Sequence, residues 1–312
     1  MIAAPPQPRR RGSSTVIAAP PHVLLGSEQR ATIARAELVR RVQVLGPTGA
    51  LCRVSQWPAP DAPRMLAHMT VGLREVPPVA VAALFAPERP GPLIQQHVAA
   101  SGVGRCRADR RLAPRTAVAE VSQNNVACRG EPVVVPGLRG LVDAPPEWVP
   151  ALEAVAPIQV WPRIIAVLPD AARPRSRHAV RRLFPADVAG LDALDPSMAW
   201  ISESWGGHAG LAASGRAWAV FADGRAVAVA CPFFVGRGHE DIGVVTEHAY
   251  RGRGLSTSCA AAVIDDIRAR GRRPTWTTSP ENTGSRAVAA RLGFVHARDD
   301  VLYAVGVAIP AD

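Results

Sequence analysis

The chain has 312 residues, of which 48% are apolar, and a formal net charge of +10. All 36 residues counted as lysine plus arginine are arginine. The absence of lysine excludes a P-loop nucleotide site, a protein kinase and Schiff-base catalysis, because each depends on a lysine. No apolar run reaches membrane-spanning length, since prolines and arginines interrupt every one.

The positive charge does not by itself indicate a nucleic-acid partner. The arginines are scattered, and aromatic residues make up only 5% of the chain, so no stacking platform accompanies the charge.

The cysteines are odd in number and form no Cys-x-x-Cys pair; they are Cys52, Cys106, Cys128, Cys231 and Cys259. This spacing argues against a zinc site and a disulfide framework, and it predicts buried thiols and a cytoplasmic location.

The first half of the chain divides into a leader and a domain of no recognisable family. Residues 1–21 contain paired prolines and an arginine triplet, and they predict a disordered leader; a twin-arginine export signal is disfavoured by the prolines. Residues 22–174 are patterned like a globular domain. Helices are predicted from Ser27 to about Leu45, from Arg64 to Leu73 and from Pro92 to Ser101, and strands at Val133–Val135 and Ile164–Leu168.

The second domain, residues 175–312, follows a proline-broken linker at 171–176. Ala179–Leu183 predicts a short first strand, and Pro185–Leu194 predicts a helix. Two apolar runs then flank Asp223-Gly224, which is a strong signal for a β-hairpin. Pro232 predicts a bulge or strand end in the second arm of that hairpin.

The most informative stretch begins at Ile242, where a β-branched strand is followed by Arg251-Gly-Arg-Gly254 and then by a helical pattern. A glycine-rich turn between a strand and a helix leaves backbone N–H groups unpaired at the positive end of the helix dipole. Gly252 and Gly254 have no Cβ to block an approaching group, and the two arginines carry donors suited to phosphate oxygens. The turn therefore predicts a diphosphate site. It does not match a dinucleotide-binding turn, because Thr257 stands where the third glycine is expected.

These residues resemble a known family. Arg251-Gly-Arg-Gly-Leu-Ser256 is similar to the Arg/Gln-x-x-Gly-x-Gly/Ala signature of the GCN5-related N-acetyltransferases (GNAT family), with Ser256 at the last small position. A strand at Pro274–Ser279, then Asn282-Thr-Gly-Ser285 and Leu292-Gly-Phe294, resembles the second motif of that family in order and spacing. The resemblance covers about His178 to Val307. It implies an α+β fold for this half of the chain, with a mostly antiparallel central sheet flanked by helices. Relatives with two such halves exist, so a degenerate acetyltransferase-like copy is one interpretation of the separate N-terminal domain, although no glycine-rich turn follows a strand there.

The resemblance also implies a binding mode for acetyl-CoA, used as co-substrate with no metal. The turn would hold the pyrophosphate, and the backbone of the preceding strand would hold the pantetheine arm, with the N–H of Val244 as oxyanion donor. The cofactor-binding residues expected on this basis are Val244, Val245, Thr246, Arg251, Gly252, Arg253, Gly254, Leu255, Ser256 and Asn282.

Three acidic residues compete for the role of base that deprotonates the acceptor amine. Family spacing favours Glu240, and its neighbour Asp241 and the more distant Glu203 are alternatives. A mobile segment around Trp200 and Trp205 is expected to shape acceptor choice, although core tryptophans would fit the pattern equally well. Many relatives carry a tyrosine that protonates the departing thiolate where this chain has Ala289. That role falls to Tyr250, to Tyr303, to water or to no group.

The sequence therefore predicts an acyl-CoA-dependent N-acyltransferase, with an amine as acceptor. The alternative is a catalytically silent acyl-CoA-binding regulatory module, motivated by Ala289. A small metabolite, an antibiotic, a peptide amine and a protein lysine all fit as acceptor. The sequence leaves the oligomeric state open.

Overall fold

The computed structural model describes residues 72–122 and 124–310, all within one unit of the chain, Gln56–Asp312. Twelve strands in these residues form a single sheet with the order β1-β2-β3-β4-β5-β12-β6-β11-β10-β9-β8-β7. The strands are β1 (Arg74–Val76), β2 (Arg105–Ala108), β3 (Thr116–Val121), β4 (Asn125–Gly130), β5 (Gly140–Asp143), β6 (Ile158–Val167), β7 (Arg181–Arg182), β8 (Trp218–Ala222), β9 (Arg225–Val235), β10 (His239–Thr246), β11 (Arg273–Thr278) and β12 (Val295–Val305).

The two ends of this sheet repeat one pattern. Each end has four antiparallel strands, β1 to β4 or β7 to β10, and the fourth strand pairs in parallel with the next, β5 or β11. The long antiparallel pair β6 and β12 lies in the middle, with β6 between β11 and β12 and β12 between β5 and β6. The mostly antiparallel sheet predicted from the family resemblance is confirmed.

The middle pair, β6 and β12, joins one strand from before the linker predicted at residues 171–176 to one strand from after it. Strand β6 precedes that linker, yet it pairs with β11 and β12, which follow it. The sheet is therefore continuous across this point of the chain. The boundary at 174/175 and the division into domains stay predictions, and residues 1–21 lie outside the described residues.

Seven α-helices in the described residues flank the sheet, together with several short 3₁₀ turns. The helices are α1 (Pro78–Val81), α2 (Ile94–Ser101), α3 (Val149–Glu153), α4 (Val188–Asp192), α5 (His208–Ala213), α6 (Leu255–Ala269) and α7 (Thr283–Leu292); the 3₁₀ segments are Ala82–Phe85, Pro146–Trp148, Pro185–Asp187, Pro196–Trp205 and His248–Tyr250.

Opposite faces of the second half of the sheet are covered by different helices. On one face, α6 buries Leu255, Cys259, Val263 and Ile267, the periodic residues of the sequence, against Trp276 and Ile242. On the other face, α4, α5 and the 196–205 segment pack Leu191, Leu211 and Ile201 against β9 and Val245. Alternation along β10 therefore decides which side chains enter the helix core and which face the 196–205 segment.

Most predicted elements in the described residues are confirmed. The helix predicted at Pro92–Ser101 is α2, the strand at Ile164–Leu168 belongs to the longer β6, and the helix at Pro185–Leu194 is a 3₁₀ turn followed by α4. The hairpin turns at Asp223-Gly224, where both residues have positive φ (48° and 77°), as a two-residue turn of this kind requires. The pairing with β10 shifts beside Pro232, as the predicted bulge requires.

Two strand predictions are wrong in extent. Val133–Val135 contains one bridging residue instead of a strand, because the flanking Pro132 and Pro136 cannot donate hydrogen bonds to a ladder. The strand predicted at Ala179–Leu183 is limited to Arg181–Arg182 at the sheet edge. The predicted helix from Ser27, most of the helix from Arg64 and Cys52 lie outside the described residues. The four described cysteines are buried and free.

Candidate active site

The predicted diphosphate turn connects β10 to α6 through residues 247–254. Gly252 and Gly254 adopt the left-handed conformation, with φ of 77° and 82°, which other residues adopt only with strain. Residues 251–254 are exposed. Local backbone geometry thus explains why both glycines are present, and it places the turn at the surface where a ligand can reach it.

The amides of the turn are available for an anion. The backbone N–H groups of residues 252–257 bond to no backbone acceptor within the described residues, and no side chain caps the start of α6. These groups lie at the positive end of a helix of 15 residues. The arrangement supplies the hydrogen-bond donors and the dipole that phosphate oxygens require.

The side chains of the turn are held in place by the strand before it. The hydroxyl oxygens of Thr246 and Ser256 lie 2.6 Å apart, and Arg251 Nε donates to the Thr246 carbonyl oxygen at 3.2 Å. Arg253 Nη2 donates to the Ala249 carbonyl oxygen at 3.0 Å. Each arginine therefore uses one donor to fix the turn and keeps others for a ligand.

The residues that directly follow the predicted linker also contact the turn. His178 Nε2 lies 2.8 Å from the Arg253 carbonyl oxygen, and a Cβ on Gly254 would lie 3.7 Å from the same nitrogen. The backbone N–H of Arg177 donates to Ser258 Oγ at 3.0 Å. The sequence carried little signal for these contacts, because residues 177 and 178 precede α6 by about eighty positions.

The turn opens beside a split between two parallel strands. In β10 and β11, His239, Glu240 and Asp241 pair with residues 273–275, and the pairing stops there. From Ile242 onward, β10 pairs only with β9. The edge of Val244, Val245 and Thr246 that faces β11 is consequently free of ladder bonds, as an extended ligand arm bound through the backbone would require.

Asn282 lies on the far side of the split, at the start of α7. Its side-chain oxygen accepts a hydrogen bond from the Ser285 N–H at 2.8 Å, which caps the helix. Ser285 Oγ in turn accepts from Trp276 Nε1 at 2.9 Å. The second sequence motif therefore orders the β11–α7 connection, and its contact with a cofactor stays a prediction.

Glu240, the residue predicted to act as base, lies in a buried cluster of ion pairs. Its side chain is fully buried and forms ion pairs with three arginines: Arg216 Nη1 at 3.2 Å, Arg270 Nη2 at 2.7 Å and Arg272 Nη1 at 2.7 Å. Both carboxylate oxygens are occupied. This enclosed ion-pair cluster gives Glu240 a structural role, and its role as base stays a prediction.

Asp241 differs from Glu240 in its partners, which are hydroxyl groups instead of arginines. It is buried and points to the opposite face of the sheet, where Thr275 Oγ1 and Thr277 Oγ1 both donate to its Oδ1, at 2.8 and 3.0 Å. Burial raises the pKa of this carboxyl to about 6, against the opposing effect of the two threonine hydrogen bonds and of Arg163 and Arg298. It occupies the last paired position before the split, two residues before Gly243.

Gly243 is enclosed by the segment predicted to shape acceptor choice. A Cβ at this position would lie 3.0 Å from Ile201 Cδ1, 3.3 Å from Phe233 Cβ and 3.4 Å from Trp200 Cζ3. The rings of Trp200 and Phe233 meet edge to face, with centroids 5.6 Å apart. Trp200 is 41% exposed, so it forms an accessible wall, whereas Trp205 is buried and donates Nε1–H to the Pro232 carbonyl oxygen.

The other residues considered from the sequence for proton transfer are Glu203, Tyr250 and Tyr303, and they lie in three different environments. Burial raises the pKa of Glu203, which accepts hydrogen bonds from Asn124 and Ser122. Ala289 is buried on α7, and Tyr303 is buried in another core cluster. The guanidinium of Arg253 lies 5.1 Å from the ring centroid of Tyr250, which places this tyrosine beside the turn.

The residues that the structure describes lack both a metal-binding cluster and a membrane-spanning helix. These residues contain no group of three or more His, Cys, Asp or Glu side chains placed to hold a metal ion. None of the described helices has the length and apolarity needed to cross a membrane.

Comparison with known proteins identifies the family. The model of the GNAT acetyltransferase family matches residues 192–303. An uncharacterized N-acetyltransferase from the mutA 5′ region of Streptomyces virginiae is 41% identical over 198 residues, which cover 60% of this chain and 83% of the relative.

Solved structures agree on the fold. A GCN5-related N-acetyltransferase-like protein from Streptococcus suis superposes with a TM-score of 0.58 at 17% identity, covering 73% of this chain and 97% of that one. A Drosophila protein gives a TM-score of 0.52 at 16% identity, with coverage of 75% and 98%. On the family match and the relative of high identity, the chain belongs to the GNAT family of N-acetyltransferases.

Proposed function

We propose that the protein transfers an acetyl group from acetyl-CoA directly to an amine. The observation that carries this proposal is the turn at residues 251–256, whose unpaired amides open beside the split between β10 and β11. A diphosphate on the turn would direct the attached pantetheine arm along the free edge of β10. Acetyl-CoA is a co-substrate in this scheme, and the proposed reaction uses no metal.

The proposed binding roles follow from these positions. The N–H groups of Gly252, Arg253, Gly254, Leu255 and Ser256 would bind the pyrophosphate, and the guanidinium of Arg251 would add charge. The backbone of Val244, Val245 and Thr246 would bond the arm. Asn282 would support the site from α7, because it fixes the β11–α7 connection.

The chemistry is a single acyl transfer. The amine nitrogen attacks the thioester carbonyl carbon, a C–N bond forms, the C–S bond breaks and the thiolate of coenzyme A departs. A fixed N–H donor stabilises the negative charge that develops on the carbonyl oxygen, typically by about 3 kcal/mol. The N–H of Val244 is the proposed donor, and much of the remaining acceleration comes from positioning the two reactants.

We assign the proton acceptor to Asp241 in place of Glu240. The amine must lose one proton in the reaction, and Asp241 lies on the face of β10 that carries Gly243 and the Trp200 wall. Its Oδ2 makes no hydrogen bond with the described residues, since both threonines donate to Oδ1. A pKa of about 6 keeps the group deprotonated at neutral pH and makes it a better base than an ordinary carboxylate.

The departing thiolate needs no strong acid. Its pKa of about 8.5 makes it a tolerable leaving group near neutrality. Tyr303 is enclosed in a core cluster, which leaves Tyr250 or water as the source of a proton. Ala289 is therefore compatible with turnover.

The test is release of free thiol from acetyl-CoA across a panel of amines. The panel contains a small metabolite amine, an aminoglycoside, a peptide amine and a protein lysine, and mass spectrometry of the acceptor shows an added acetyl group. Thiol release that depends on one acceptor supports the proposal. Acetyl-CoA binding without thiol release from any acceptor would contradict it and favour a silent binding module. The cytoplasmic location stays a prediction.

A further inference from the structure

A cavity outside the candidate active site lies in the first half of the sheet. Its volume is about 300 Å³, and it is bounded by the 3₁₀ turn at 82–85, the start of α2 and the ends of β4 and β5. A volume of this size is at the lower limit for small-molecule sites. Its lining residues are absent from the acetyl-CoA site proposed above.

The cavity occupies a place in the fold equivalent to the candidate active site. Strands β4 and β5 pair in parallel over residues 125–127 and 141–143 and then separate, as β10 and β11 do. Ala127 and Asp143 form the last pair, so Ala127 corresponds to Asp241. Arg129, two residues later, corresponds to Gly243.

This second split is closed to a thioester. Arg129 Nη2 lies 2.6 Å from Asp143 Oδ2, and Nη1 donates to the Asp143 carbonyl oxygen at 2.8 Å. The ion pair therefore bridges the two strands where the first site is open. Residues 131–139, which connect β4 to β5, contain no helix, so the helix dipole that would face a diphosphate is also missing.

The cavity retains one positive charge without a partner. Arg89 lines the cavity and makes no hydrogen bond or ion pair within the described part of the chain. Arg129 and Asp143, also in the lining, neutralise each other. Arg298 pairs with Asp300 and adds no net charge. Partial burial and the neighbouring Arg298 lower the pKa of Arg89, against the opposing effect of the Asp300 and Asp143 carboxylates.

The rest of the lining combines polar groups, among them Gln96, with apolar side chains. The walls are formed by Leu84, Phe85, Pro87, Pro92, Leu93 and Ile94. Phe85 also lies beneath the guanidinium of Arg129, with the carbon of that group 5.6 Å from the ring centroid. One unpaired guanidinium among apolar walls fits a ligand with one negative charge and an apolar body.

We propose that this cavity binds a small organic carboxylate, with Arg89 as the residue that pairs with the carboxylate group. A planar carboxylate can accept two parallel hydrogen bonds from one guanidinium. The apolar body of the ligand contacts Leu84, Phe85 and Leu93. The site does not depend on the proposed acetyl transfer, because it shares none of the residues assigned to that reaction.

The experiment measures binding of four carboxylates to the full chain by calorimetry and thermal shift. The probes are isobutyrate, benzoate, phenylacetate and cyclohexanecarboxylate, each paired with its neutral amide. We expect at least one acid to bind and its amide to bind about ten- to hundredfold more weakly, since a hydrogen-bonded charge is lost. Arg89→Gln should weaken binding of the acid by the same factor. This variant should fold normally, because Arg89 is exposed and bonds to none of the described residues.

Two control variants locate the binding. Arg111→Gln removes an exposed arginine that does not line the cavity, and it should leave affinity for the acid unchanged. Gly254→Val alters the turn before α6 and should also leave it unchanged. Failure of all four acids to bind, equal affinity for acid and amide, or undiminished binding by Arg89→Gln would overturn the proposal. Loss of binding in Gly254→Val alone would place the carboxylate in the acetyl-CoA site instead.

Discussion

Glu240 and Asp241 are consecutive residues of β10, and their carboxylates lie on opposite faces of the sheet in opposite electrostatic surroundings. Three arginines form ion pairs with Glu240, whereas Asp241 has two threonine hydroxyls as partners and a raised pKa. Alternation along a strand is enough to separate the two roles. One residue stabilises the fold, and its neighbour is available for proton transfer.

Asp241→Asn should lower kcat by about 10²- to 10⁴-fold, the usual contribution of a general base. Asparagine retains an oxygen that can accept from Thr275 and Thr277, so acetyl-CoA affinity should stay unchanged. In the wild type, kcat/KM should rise with pH through about 6, because only the deprotonated carboxylate accepts a proton. The profile is measured with an acceptor amine whose own pKa lies well away from 6.

The matched control is Asp265→Asn, which changes an exposed carboxylate on α6. It should alter neither kcat nor the pH profile. If the limb near pH 6 persists in Asp241→Asn, another group is the base, and Glu203, with its raised pKa, is then the next residue to replace.

Glu240→Gln should act on stability instead of catalysis. The substitution leaves Arg216, Arg270 and Arg272 around a neutral group, and breaking a buried ion pair in this way typically costs on the order of 3 kcal/mol. Urea unfolding should show the loss, while the pH limb of kcat/KM stays in place. A variant that is as stable as the wild type but shows a shifted limb would restore Glu240 as the base.

How far the sequence predicted this site depends on whether the determining contacts are local. The turn at Gly252 and Gly254 was predictable, because its function depends on backbone conformation within a few residues. The surroundings of Glu240 were not, since its three arginines follow α5 and α6 and are brought together only by folding. The place of β6 between β11 and β12 was equally hidden, because that pairing joins residues about a hundred positions apart.

Gly254→Val should abolish acetyl-CoA binding. Valine at φ of 82° costs about 1–2 kcal/mol of backbone strain, and its side chain would project among the amides that bind the pyrophosphate. Binding is measured by calorimetry with acetyl-CoA.

Gly224→Val is the control that tests whether backbone strain alone explains the effect of Gly254→Val. Gly224 has φ of 77°, in the β8–β9 turn, and a Cβ there would meet no atom within 4 Å. It should lose a similar amount of stability and still bind acetyl-CoA. Equal affinity in both variants would refute the role of the turn.

His97 should make the fold sensitive to mild acid. This fully buried side chain joins α2 to the 196–205 segment and to β9. Its Nε2 bonds to the Ser204 carbonyl oxygen at 2.7 Å, and its Nδ1 accepts from the Val235 N–H at 3.2 Å. Burial lowers its pKa from 6.5 to about 4, against the opposing effect of the Ser204 hydrogen bond. The folded state thus holds the neutral ring, and the unfolded state takes up a proton first as the pH falls.

The histidine's contribution to stability is therefore complete above about pH 6.5 and is lost progressively down to about pH 4. From these two values, the free energy of unfolding should fall by about 2 kcal/mol between pH 7 and pH 5 through this group. His97→Asn keeps an acceptor for Val235 but does not titrate. The variant should be less stable than the wild type at neutral pH, and its free energy of unfolding should fall by about 2 kcal/mol less between pH 7 and pH 5. Urea unfolding of both proteins at the two pH values provides the measurement, and an unchanged pH dependence in the variant would assign the acid sensitivity to other groups.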